Sequence, residues 1–214
     1  MLQKSLRPAL SIVLLSVASF SHAYAQTVDQ AQSQHTGTFT YVTNWQGQTF
    51  VPTQATSAGG AFLIGTPNNT PSSSVLHIEL WKGTPNAGLS FVAGGSTPYA
   101  LGGTEYEWVK VFWDAVAVTP FDTYFLAMTA EGTASPQVKS FTNLETDPYP
   151  NGIAWYNFTP TESVNVDGYT PYVNLDYAFE EYSEGAVAPE PASMALVATG
   201  LLAAAAVIRR KRPL

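Results

Sequence analysis

Through the middle of the chain, apolar residues recur at every second position, and no segment there sustains a 3.6-residue apolar period. This constrains the fold more than any other feature, because a period of two suits a strand with one buried face. Strands are expected over 39–43, 47–51, 61–64, 75–82, 89–93, 105–117, 124–130, 153–158 and 172–181. Between them lie turn formers such as Thr66-Pro67-Asn68-Asn69, Pro150-Asn151-Gly152 and Asp167-Gly168. Short strands so spaced read as a mainly β chain, a jelly-roll-like antiparallel β-sandwich over residues 37–183. The polar stretch 26–36 reads as a flexible leader. Alternation also assigns faces: Leu76, Ile78 and Leu80 point to the core, opposite His77, Glu79 and Trp81. Val109, Val111, Trp113 and Ala115 likewise oppose Trp108, Lys110, Phe112 and Asp114.

The ends differ from the middle. Lys4 and Arg7, an apolar run Ala9–Phe20 and the small-x-small site Ala23-Tyr24-Ala25 read as a signal peptide over 1–25, cleaved after Ala25. At the other end a linker, 184–191, carries Pro189-Glu190-Pro191 and leads into 17 uncharged residues, Ala192–Ile208. As a helix that run spans roughly 26 Å, and snorkelling arginines make up part of the ~30 Å hydrocarbon thickness. Arg209, Arg210, Lys211 and Arg212 then hold the tail 209–214 on the cytoplasmic side. The expected precursor is anchored in the inner membrane by one transmembrane helix, with its domain in the periplasm.

Between these segments lie 15 carboxylates and three lysines, Lys82, Lys110 and Lys139, so the exported part stands near −12. That argues against nucleic acid as a partner, since such binding depends on clustered Lys and Arg. The absence of cysteine excludes thiolate catalysis and thiolate metal sites.

Pro189-Glu190-Pro191-Ala192-Ser193-Met194-Ala195-Leu196, the Gly/Ala/Leu run and the terminal arginine cluster resemble the PEP-CTERM sorting signal of Gram-negative bacteria. That signal is also called an ice-binding protein C-terminal domain. The resemblance implies processing near Pro-Glu-Pro by an exosortase, a membrane-embedded transpeptidase with a cysteine nucleophile. It also implies delivery to the surface or extracellular matrix of a cell that makes exopolysaccharide, with Glu190 a recognition residue. The middle resembles a loose group of exported bacterial β-sandwich domains at Gln48-Thr49-Phe50, around Trp113, at Phe121-Asp122-Thr123-Tyr124 and at Asp176-Tyr177-Ala178-Phe179. It departs from them at Asp122, where they carry glycine.

For chemistry, aromatic faces pack against sugar rings, and Trp81, Trp108, Trp155 and Tyr156 are the candidates for a glycan platform. Glycoside hydrolysis needs two facing carboxylates, and Glu79, Glu105, Glu107 and Asp114 offer the residue types without marking a pair. His77 reads as a surface strand residue, and no Gly-x-Ser-x-Gly elbow is present. A metal at His77 and Glu79 would need distant ligands, and calcium near Asp167-Gly168 or Asp176 lacks EF-hand spacing. No cofactor is implied. The expected role is not enzymatic: a structural or adhesive surface protein associated with exopolysaccharide or biofilm matrix, with carbohydrate binding and glycan hydrolysis as alternatives.

Overall fold

The computed structural model describes residues 26–185, apart from 37, 42–43, 66–71, 102–105, 132–136, 143–146, 158–163 and 165–166. The signal segment with Ala23 and Ala25, the Pro189-Glu190-Pro191 motif, the apolar run 192–208 and the basic cluster lie outside the described residues, as does Glu105.

The described chain is a sandwich of two antiparallel sheets. In the first, β1 (Gln26–Gln32), β13 (Phe179–Glu184), β4 (Thr56–Gly65), β9 (Gln137–Thr142) and β12 (Leu175–Tyr177) follow one another. There β7 (Glu107–Ala117) adds to β4, and β2 (Thr38–Tyr41) to β9. The second runs β11 (Tyr169–Tyr172), β10 (Ala154–Asn157), β3 (Gln46–Phe50), β8 (Tyr124–Ala130), β5 (Ser72–Gly83) and β6 (Leu89–Leu101). Apart from the β5–β6 hairpin, most neighbours are distant in sequence, so the loops cross between sheets.

The two inner faces meet in one core. Phe62, Ile64, Val109, Val111, Val138 and Phe179 come from the first sheet; Phe50, Leu76, Ile78, Leu80, Leu126 and Met128 come from the second. The faces assigned to 76–80 by alternation are therefore as expected. β4 is buried throughout, with β13 on one edge and β7 on the other. Its Gly60 marks a close approach of the sheets: a Cβ there would stand 2.8 Å from Leu126 Cδ1. A larger side chain at that position would have to displace the Leu126 and Ile78 side chains from the packed core.

Three strands depart from the sequence reading. The leader expected at 26–36 is in fact strand β1 over Gln26–Gln32, paired with β13. Its inward positions Gln30 and Gln32 are buried polar residues, so it shows no apolar period. The strands β9 and β11 were not expected either. β11 reads Tyr169-Thr170-Pro171-Tyr172 and sits at a sheet edge, where a proline is tolerated.

Candidate functional site

The second sheet carries an aromatic layer on its outer face. Trp81 from β5, Phe125 and Ala127 from β8, and Trp155 from β10 point outward and pack with Trp45, Leu89, Val164 and Tyr169. Gly47 lies in β3 between β8 and β10, directly paired with Trp155. A Cβ on Gly47 would come within 2.0 Å of the Leu126 carbonyl oxygen, so only glycine fits. Asn86 fixes the start of β11, because its side chain donates to the Tyr169 carbonyl at 2.7 Å and accepts from the Gly168 and Tyr169 amides. The Tyr169 ring then stands edge-on to Phe125 at 5.6 Å.

This packing decides what the layer offers to solvent. Trp81 is 9% and Trp155 8% exposed, so neither presents an open ring face. Phe91 is the ring left open, 57% exposed and edge-on to Trp81 at 5.3 Å. The Trp81 indole N–H donates to Glu79 Oε2 at 2.9 Å. Burial raises the Glu79 pKa, against smaller lowering effects from that hydrogen bond and from His77. Two buried polar atoms in the layer, Trp155 Nε1 and the Tyr169 hydroxyl, have no hydrogen-bond partner among the described residues.

The four platform candidates do not assemble. Trp81 and Trp155 share the layer, but Trp108 stands half-buried on β7 of the other sheet. Tyr156 follows Trp155 in β10 and therefore points to the opposite side, toward Asn44 and Tyr172. The carboxylates are dispersed as well. Glu79 lies on β5, while Glu107 and Asp114 are exposed and seven residues apart on β7 of the other sheet. His77 pairs with Glu131 at 2.8 Å. Among the described residues no group of three or more acidic or histidine side chains could hold a metal ion.

A second constellation, missed in the sequence, lies between the sheets. Gln46 and Gln48 of β3 point inward. Tyr177 donates its hydroxyl to Gln46 Oε1 at 2.9 Å, and Gln48 bridges the Tyr177 amide and Asp176 Oδ1, the latter at 2.6 Å. Tyr149 donates its hydroxyl to Gln30 Oε1 of β1 at 2.9 Å. Burial pushes Tyr149 up to about 12, helped by the negative charges of Asp29, Glu181 and Asp176. Burial likewise raises Asp176, opposed by the Gln48 hydrogen bond and reinforced by the neighbouring Asp147 carboxyl.

Glu181 completes this seam and is its most costly member. It faces inward from β13, opposite Gly60 of β4 and Gln30 of β1, and is fully buried. Among the described residues neither carboxyl oxygen has a well-formed hydrogen bond, and the Ser57 hydroxyl beside it is the one group that eases its charge. Desolvation therefore pushes Glu181 up to about 8, with Asp29 adding repulsion and Ser57 easing it only in part. The signal was present in Phe179-Glu180-Glu181-Tyr182-Ser183, where a period of two places Phe179, Glu181 and Ser183 on one face.

No curated protein matches the chain significantly. Residues 187–211 match the family described as the PEP-CTERM protein-sorting motif. The chain therefore carries a PEP-CTERM protein-sorting motif behind a β-sandwich, which implies an exported, membrane-anchored precursor processed by an exosortase and sorted to the cell surface.

Proposed function

We propose that the sandwich is the non-catalytic cargo of this tail, a structural or adhesive domain that works within or against an exopolysaccharide matrix. The sorting motif at 187–211 is the observation that carries the reading. The dispersal of Glu79, Glu107 and Asp114 over two sheets supports a role without glycan hydrolysis, which needs two carboxyl groups roughly 5–10 Å apart across a bond. Fractionating host cultures into cells, matrix and medium tests it. The processed protein is expected with the matrix and released by glycan-degrading enzymes; full recovery in the medium, with the matrix intact, overturns the proposal.

Carbohydrate binding by the outer layer is the second reading, favoured by one observation. Phe91 leaves an open ring edge-on to Trp81, beside the Glu79 carboxyl. Titration with a panel of exopolysaccharides should shift the tryptophan fluorescence, and Phe91→Ala should abolish the shift. A flat response to every glycan counts against this reading and leaves the structural one standing.

A further inference from the structure

We propose that the pole from which the chain leaves for its anchor docks on the phospholipid surface, with Phe121 as the inserted side chain. This rests on the membrane-anchored precursor argued above. Among the described residues Phe121 is the most open of the large apolar side chains, 78% exposed, and its backbone sits at φ +69°. A bulky L-residue rarely takes that conformation, which here is held by the surrounding hydrogen bonds. Phe121 N donates to the Pro52 carbonyl at 3.0 Å, Val118 N to the Ala55 carbonyl at 3.0 Å, and Thr119 N to the Tyr124 hydroxyl at 2.9 Å. The turn therefore holds a phenyl ring out in water although nothing in the described chain covers it.

The same hydrogen bonds place that turn at the chain's exit. Thr56 pairs with Ala117, the last residue before the turn, and accepts a hydrogen bond from the Glu184 amide on its hydroxyl at 3.3 Å. Glu184 ends β13 and is paired with Gln26, the first residue of β1. The strand ends Gln26 and Glu184, the 51–55 segment and the Phe121 turn thus share one pole. From Gly185 only seven residues precede the apolar run at Ala192, a reach of at most about 24 Å. The carboxylates nearest the ring are held by groups of the fold, while Glu184 and Asp29 leave negative charge there, so the pole suits a zwitterionic rather than an anionic surface. Asp122 pairs with Lys82 at 2.7 Å, and Asp29 accepts from the Thr53 and Gln54 amides. One interfacial phenyl binds a bilayer weakly by itself, but a short tether raises its local concentration enough to keep it engaged.

The test uses the full chain in phosphatidylcholine vesicles, with an environment-sensitive fluorophore on a single introduced cysteine. The native sequence has none, so the label is unique. Thr123→Cys reports the pole, and Glu107→Cys reports the far end of the β4–β7 pair, where Glu107 opposes Ile64. The expected result is a blue shift and quenching by headgroup spin-labelled lipid at position 123 and neither at 107. Phe121→Gly suits the positive φ and keeps the fold, and it should remove both signals at 123. An unquenched label at 123, or quenching that survives Phe121→Gly, overturns the docking. Signals that vanish at one protein per vesicle would assign the pole to a second copy and overturn it too. A chain that fails to float with the vesicles overturns the anchoring as well as the docking.

Discussion

Glu181, together with Asp176, makes the stability of the domain fall as pH rises. The folded pKa of Glu181, about 8, lies above the ordinary glutamate value of 4.5, so between those limits the native state holds more protons than the unfolded chain. Stability from this group is therefore unimpaired below about pH 4.5 and falls as pH rises toward 8, by a few kcal/mol in all. Glu181→Gln should melt higher than the native protein at pH 8, by roughly 5 °C or more, and converge with it near pH 5. Thermal melts across that range check the sign; parallel curves for the two proteins would mean that the carboxylate is hydrated. Phe121 makes an opposite statement at the same scale. Its left-handed backbone costs roughly 1 kcal/mol that glycine would not incur, so Phe121→Gly should be neutral to about 1 kcal/mol more stable in denaturant titrations. Trp81→Ala, by contrast, should cost about 3–5 kcal/mol, because it empties a packed layer rather than an open platform.

Strand β1 connects these residues to the architecture. It closes the edge of β13 and holds Gln30 over Glu181, with Tyr149 donating to Gln30 from the other side. Removing Gln26–Gln32 should lower stability by about 2 kcal/mol or more at pH 5 through lost strand pairing and the Tyr149 hydrogen bond. The loss should be smaller at pH 8, where opening that edge hydrates the Glu181 carboxylate. Denaturant titrations of the truncated chain at both pH values measure the difference; an equal cost at both would separate β1 from the acid. Strands that bury apolar side chains on one face, β5 above all, were legible because alternation there is strict. In β7 it holds through Val111, but a register shift opposite residues 113–115 leaves Ala115, expected in the core, exposed and turns Val116 toward it. β1 was not, since the groups it buries are glutamine amides, and a polar strand and a polar leader look alike in sequence. The candidate platform failed for a related reason. Trp155 and Tyr156 are adjacent and so point to opposite sides of β10, and which strand joins which sheet depends on long-range pairing that no local pattern contains.

At the scale of the whole molecule, a signal peptide is expected before and a transmembrane helix after a sandwich whose own ends, Gln26 and Glu184, are paired neighbours. Here the sequence was most informative, since the sorting motif lies in 25 contiguous residues and needs no tertiary structure to be recognised. The account as a whole depends on that motif being processed. Intact mass of the protein recovered from envelope and extracellular fractions, with and without Glu190→Ala, tests it most directly. The account predicts that the extracellular form has lost the residues after about Pro191, and that the substitution leaves the uncut chain in the membrane. A mass that still includes Leu214 in every fraction, unchanged by the substitution, would contradict it.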